Sequence, residues 1–279
     1  MNVLATQEEC EAQQIAQPQA LTFAKTNFER KETKYFLTRA QYNALIARIG
    51  AKLENDEYSR SVVSSLYYDT PDRAIINRSL EKPRYKEKLR IRMYDNAKIG
   101  EPVYVELKKK FKGIVYKRRV AMSLPAAYAF MDGTDYHDAI GRFPLLDPEK
   151  QLEAYSFKSE QIASEIAYTR DRYHSLRPSM MIITNRLALR TNDGSDVRIT
   201  FDIDPVWRDR ELGFGYGFDG NLLYPDRRII MEVKGLKAYP LWLVQAFTEC
   251  NIFPTSSSKY GKAYQTANPT QPPAAIQYA

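Results

Sequence analysis

The chain has 279 residues, and its 41 Lys and Arg against 34 Asp and Glu give a formal net charge of +7. A hydrophobic content of 44% with 12% aromatics excludes general disorder and supports one large domain or two small ones. Cys10, Cys250, His137 and His174 are the only cysteines and histidines, which excludes a disulfide framework, a thiol metal site and a histidine-based centre or triad.

The basic excess favours an anionic partner, whether nucleotide, polyphosphate, nucleic acid or membrane surface, without choosing among them. Residues 1–24, rich in Gln, Ala and Glu, read as a flexible arm. The opening MNVLATQEEC lacks the basic-then-apolar layout of a signal peptide. No apolar run reaches the roughly 20 residues that a membrane helix needs. A cytoplasmic protein is the expectation.

FERKETKYFL, residues 28–37, reads as the first strand, with Glu32, Lys34 and Phe36 on one face. Thr38 and Gln41 form a capping-box pair, and Tyr42, Leu45, Ile46 and Ile49 carry helical spacing to about Gly50. RSVVSSLYYD, 60–69, is a β-branched and aromatic strand ending at the turn Thr70-Pro71-Asp72. Residues 73–83 read as a loop or short helix.

The next strand, 86–95, organises the chain: Lys88, Arg90, Arg92 and Tyr94 alternate with Leu89, Ile91 and Met93. One face is a cationic ladder and the other is apolar. Strands at 103–110 and 114–122 follow. Residues 123–178, broken at Gly133, Gly141, Pro144 and Pro148, read as a helical insertion on the outside. Strands return at 180–190, at 197–204 after the hairpin signal Asn192-Asp193-Gly194, and at 228–234. GFGYGFDG, 213–220, lacks the ending of a phosphate loop and reads as a plain loop. Residues 239–250 are helical, able to plug or cap the sheet. Residues 266–279 read as a disordered Pro-rich tail.

Eight strands, mostly joined by hairpins, can close into an α+β antiparallel barrel with external helices. Its charged faces would line a wet tunnel built for a polyanion. On any single strand this alternation equally describes the solvated face of an open sheet with cross-strand ion pairs; its recurrence on four strands favours the tunnel. The tunnel set is Lys34, Arg90, Arg92, Lys108, Arg186, Arg198 and Lys234, with Lys117 and Arg119 by parity, and Glu32, Glu106, Asp202 and Glu232 as acids. Arg forks and Lys point charges suit phosphates. Carboxylates among them suit a hard divalent ion that bridges protein to phosphate. No stripe of aromatics interleaved with basic residues supports base stacking, so nucleic acid is not the expected partner.

ETKYFL, SLYYDTPD, KLRIRMY, VYVELKKK, VRITFD, IMEVKG and SSKYGKA, in this order over about residues 25–265, resemble the VTC domain. This is the polyphosphate polymerase domain of the vacuolar transporter chaperone family, within the CYTH/triphosphate tunnel metalloenzyme superfamily. The resemblance implies an eight-stranded tunnel closed by a C-terminal helix. It implies an enzyme that uses Mn2+ or Mg2+ to transfer the terminal phosphoryl group of ATP onto polyphosphate. By motif, Arg90, Arg92, Lys108, Arg186 and Arg198 would be catalytic. Lys34, Lys117, Arg119, Lys234, Ser258, Lys259 and Lys262 would bind substrate or guide product. Glu232, with Glu106, would hold metal. Arg30-x-Glu32-x-Lys34 departs from the superfamily's E-x-E-x-K, which favours the polymerase branch over the two-metal hydrolases. Thr184 stands where the family often has Tyr. The alternatives are a tripolyphosphatase or nucleoside triphosphatase on the same scaffold, and a non-catalytic polyphosphate-binding module. Transport of product would need a separate membrane protein partner, with this chain peripheral to the membrane.

Overall fold

The computed structural model describes residues 31–112, 114–235 and 238–269. The expected arm, the start of the first strand and most of the expected tail lie outside them. In chain order the elements are β1 (Lys31–Leu37), α1 (Arg39–Ile49), β2 (Leu53–Asp69), α2 (Ala74–Leu80), β3 (Tyr85–Tyr94), β4 (Pro102–Phe111) and β5 (Ile114–Ser123). Helices α3 (Leu124–Met131), α4 (Tyr136–Arg142), α5 (Pro148–Ala154) and α6 (Phe157–Arg172) follow. Then come β6 (Arg177–Thr191), β7 (Arg198–Arg208), β8 (Asn221–Leu222), β9 (Ile229–Gly235), α7 (Leu241–Glu249), β10 (Pro254–Thr255) and α8 (Lys259–Ala267).

The strands form one antiparallel sheet in the order β10-β1-β9-β7-β6-β2-β3-β4-β5, with β8 beside β7. The expected closed barrel of eight strands is corrected on both counts. The sheet has ten strands, of which β8 and β10 have two residues each. Its two ends, β10 and β5, do not pair. A physical reason lies in β10, which begins at Pro254, a residue with no N–H to extend a ladder.

The sheet nevertheless curls. In a flat sheet β1 and β4, six strands apart, would lie about 29 Å from each other at about 4.8 Å per strand. Yet Lys34 of β1 donates to the Ser257 carbonyl at 3.0 Å while Lys88 of β3, the neighbour of β4, donates to the adjacent Ser258 Oγ at 2.6 Å, and Glu32 and Lys34 both act on the Lys108 ammonium of β4. Charges from both ends of the sheet therefore meet across one concave face.

Burial follows the alternation. On β3, Glu87, Leu89, Ile91 and Met93 are buried, whereas Lys88, Arg90, Arg92 and Tyr94 stay partly accessible. The convex apolar face lies under helices: α3, α4, α5 and α6 cover β3, β4 and β5 around Leu89, Ile91, Val105 and Phe130. Helices α1 and α7 cover β1, β7 and β9 around Leu37, Leu45, Phe201 and Phe247. The Thr38–Gln41 capping box starts α1 as expected. Helix α7 packs outside the sheet and does not plug it. The plug is α8, whose Tyr260, Ala263 and Tyr264 pack on the inner-face residues Tyr67, Met180, Ile182 and Ile230. Helix α8 runs to Ala267, past the point where the tail was expected to begin.

Candidate functional site: a basic concave face

The face is built from strand pairs in register. Arg90 lies opposite Glu106, and Lys88 opposite Lys108. Arg90 donates from Nε (2.9 Å) and Nη2 (2.7 Å) to Glu106 Oε2, and from Nη1 to the Tyr67 hydroxyl at 2.8 Å. Lys117 Nζ is 2.7 Å from Glu106 Oε1. Arg92 donates to Ser65 Oγ at 3.3 Å and stands 3.9 Å from Glu106. Glu106 is 1% exposed. Burial alone would raise its pKa, but Arg90, Arg92 and Lys117 hold it well below the usual carboxylate range.

A second group sits across the face. Arg186 of β6 grips Asp202 of β7 with two hydrogen bonds of 2.7 and 2.9 Å, and Lys259 of α8 pairs with the same carboxylate. Burial opposes ionisation of Asp202, yet Lys259 and Arg186 bring its pKa to about 2. Glu232 on β9 lies 3.3 Å from Lys34 and 3.5 Å from Lys234, and Lys234 also faces Glu32 at 3.7 Å. Burial works against the Glu232 charge, but Lys34, Lys259 and Lys234 hold its pKa well down.

Two residues missing from the expected set join the site. Lys88 donates to Ser258 Oγ, the N-cap of α8, at 2.6 Å. Burial lowers its pKa to about 8, against the pull of Tyr67. Burial would raise the Tyr67 phenol, but Arg90, Lys88, Arg92 and Lys259 bring it down to about 8. Its ring stacks on Tyr260 with centroids 4.6 Å apart. The signal for Lys88 was in plain view, since alternation puts it on the ladder with Arg90 and Arg92. Tyr67 carried no such mark.

The structure thus brings together Lys34, Arg90, Arg92, Lys108, Lys117, Arg186, Lys234, Ser258 and Lys259, with Glu106 and Glu232. Three expected residues form no ion pair with the acids of this group. Arg198, at the end of β7, pairs with Asp56 and has a half-exposed side chain. Arg119 is exposed, its guanidinium 4.4 Å from the Tyr104 ring centre. Lys262 is exposed on α8. Thr184 is buried opposite Val63. In the Gly-rich loop, Arg208 donates to the carbonyls of Gly213, Gly217 and Asp219.

Among the described residues, no three His, Cys, Asp or Glu side chains gather closely enough to enclose a metal ion. The donor set suits a hard divalent ion held by a single carboxylate, with phosphate and water oxygens completing its shell. Glu232 fits that role, because its Lys partners stand off at 3.3 and 3.5 Å, beyond ordinary hydrogen-bond spacing. Glu106 fits it poorly, because both of its oxygens are held at close range by Arg90 and Lys117.

The fold is a curled, helix-covered antiparallel sheet whose concave face gathers Arg forks and Lys ammoniums. The chain belongs to the VTC domain family, whose sequence model matches residues 29–268. A curated relative, vacuolar transporter chaperone complex subunit 4 of Schizosaccharomyces pombe, is 27% identical over 241 residues, covering 75% of this chain. The match spans 32% of that protein, so this chain corresponds to about a third of its length. Two solved structures align over most of the chain. One is the PH1819 protein of Pyrococcus horikoshii, at 12% identity and TM-score 0.41, covering 86% of this chain and 99% of that one. The other is the Hippeastrum adenylyl cyclase candidate HpAC1, described as having a dominant triphosphatase activity. It aligns at 13% identity and TM-score 0.45, covering 87% and 97%.

Proposed function

We propose that this chain is a polyphosphate polymerase, transferring the terminal phosphoryl group of ATP onto a polyphosphate chain laid along the concave face. The observation that carries this reading is the pair Lys88 and Lys108. They sit opposite one another on β3 and β4, largely enclosed, and neither pairs with a carboxylate among the described residues. Two neighbouring ammoniums with no carboxylate at ion-pair distance, reached only at longer range by Glu32 and Glu232, favour a bound anion, and a phosphate chain offers one at every unit.

In this reading Arg90, Arg92, Lys108 and Arg186 grip the phosphates and stabilise charge on the transferring group. Glu106 holds the Arg90 fork in place and leaves metal binding to Glu232. The attacking oxygen comes from the terminal phosphate of the polymer, ADP leaves, and no protein nucleophile is required. A Mn2+ or Mg2+ ion bound at Glu232 would supply further neutralisation of phosphate charge. Lys34, Lys117, Lys234, Ser258 and Lys259 position the chain. Arg119, Arg198 and Lys262 guide it at the margins. No helix among the described residues is long and apolar enough to cross a membrane. Delivery of product across a membrane would fall to a separate membrane protein.

The test is incubation of the pure protein with ATP and Mn2+, with products resolved on a urea gel stained for polyphosphate. A ladder of long chains with stoichiometric ADP supports the reading. Free phosphate without a ladder overturns it in favour of a hydrolase. Binding of polyphosphate with no nucleotide turnover, even with a short polyphosphate primer, overturns it in favour of a binding module.

A further inference from the structure

The β4–β5 hairpin tip is not absorbed by the reading above. Residues 107–119, LKKKFKGIVYKRR, contain seven basic residues and no acidic one. Four large apolar side chains at this tip face solvent: Phe111 44%, Ile114 48%, Val115 48% and Tyr116 44% exposed. The register sorts them. Phe111 pairs with Ile114 and Lys109 with Tyr116, so Phe111, Ile114 and Tyr116 share one face of the ribbon; Lys110 and Val115 pair on the other. Strand β5 is an edge of the sheet, where exposed apolar residues invite aggregation unless something covers them.

The charges around the tip are only partly answered. Lys109 and Arg118 pair with Glu165 of α6, and Lys117 with Glu106. Lys110 and Lys112 have no carboxylate partner among the described residues, and Lys112 Nζ lies 5.4 Å from the Phe111 ring centre. The adjoining strand adds Lys86, opposite Lys110. Burial, and then repulsion from Lys110 and Lys82, lowers the Lys86 pKa. Apolar side chains on one face of the hairpin tip, with unanswered cations in the turn and on the other face, fit a tip set end-on into a surface that is apolar within and negatively charged at its rim.

We propose that this hairpin tip docks directly on an anionic lipid bilayer. Phe111, Ile114 and Tyr116 enter the headgroup region while Lys82, Lys86, Lys110 and Lys112 lie against lipid phosphates and carboxylates. The docking requires no protein partner and does not depend on the catalytic reading. A soluble polyanion would account for the lysines but leave the apolar trio without a role. The exposed apolar trio therefore favours the bilayer.

The experiment is co-sedimentation of the full chain with vesicles rich in phosphatidylserine, against vesicles of phosphatidylcholine alone. Partitioning onto the anionic vesicles only, weakened by salt, is expected. The double variant Phe111→Ser/Ile114→Ser should lose at least about tenfold in partitioning. Lys110→Ala and Lys112→Ala should each lose about fivefold. Thermal melting shows whether each variant is folded; Lys112→Ala, in the exposed turn, keeps the test alive where the double variant is not. Emission of Ile114→Trp should shift to the blue on anionic vesicles. Equal binding to both vesicle types, or full binding by folded variants, overturns the proposal. So does a lysine variant that loses affinity for free polyphosphate when the unaltered protein binds no vesicles, because the surface then serves a soluble polyanion.

Discussion

Arg90 and Glu106 face each other across β3 and β4, and the guanidinium sets two nitrogens, at 2.9 and 2.7 Å, on the single oxygen Oε2. The other oxygen is left to Lys117. Glu106 thus works as a built-in anion that holds the arginine fork open toward the concave face. Glu106→Gln should destabilise the protein by about 3–5 kcal/mol, the usual cost of stripping one partner from a buried pair. Tripolyphosphate should then raise the melting temperature of the variant more than that of the unaltered protein, since it restores the missing charge. Thermal melts with and without tripolyphosphate measure both effects, and an equal ligand-induced shift would contradict the assigned role.

Glu232 stands differently. Its Lys partners lie at 3.3 and 3.5 Å, so its oxygens are less committed than those of Glu106. Glu232→Gln should leave polyphosphate binding in chelator unchanged or tighter, because a negative charge is gone. It should abolish the gain in affinity that Mn2+ confers and remove turnover. Titration calorimetry with Mn2+ and with chelator separates the two effects; retained Mn2+ dependence would move the metal elsewhere.

Much of this arrangement was legible in strand parity. Alternation at Lys88–Tyr94 put the basic residues on one face before any contact was known, and eight long strands overlap those the pattern placed, although β2 starts at Leu53, seven residues before the expected Arg60. Closure was not legible, because hydrogen bonding between the ends of a sheet depends on its curl and its edges, and no residue period reports either. Pro254 in β10 is the visible clue. Nor did sequence separate Glu106 from Glu232. Both read as inward-facing acids on basic strands, and only cross-strand register shows that one is clamped by arginine and lysine and the other is not. Tyr67 reads as core from its neighbours. Its place beside Arg90 comes from the β2–β3 register.

Lys88 and Tyr67 both titrate near pH 8, and each stabilises the charged form of the other. Below that pH the lysine is an ammonium and the phenol is neutral. As pH rises through about 8 the face loses a positive charge from Lys88 and gains a negative one from Tyr67. Both changes weaken the attraction for a polyanion. Affinity for tripolyphosphate should therefore fall between about pH 7 and pH 9. In Lys88→Met and in Tyr67→Phe the fall should be shallower. Isothermal titration across that range decides it, and an unchanged slope in both variants would rule out the pair as its origin.

Arg186 and Arg198 were expected to act alike, and the structure separates them. Arg186 makes a bidentate bond to fully buried Asp202, which also pairs with Lys259, so its loss leaves a buried carboxylate half-answered. Arg198 has a half-exposed side chain and pairs with Asp56 at the end of its strand, where ion pairs contribute about 0–1 kcal/mol. Arg186→Ala should destabilise the protein by about 3–5 kcal/mol and lower turnover more than about a hundredfold, roughly 2.7 kcal/mol of transition-state stabilisation. Arg198→Ala should leave the melting temperature in place and cost less than about fivefold, mainly in KM. Initial rates across ATP concentrations, with melting curves on the same preparations, test the ordering. Equal losses would mean that the chain engages the end of β7 as tightly as its centre.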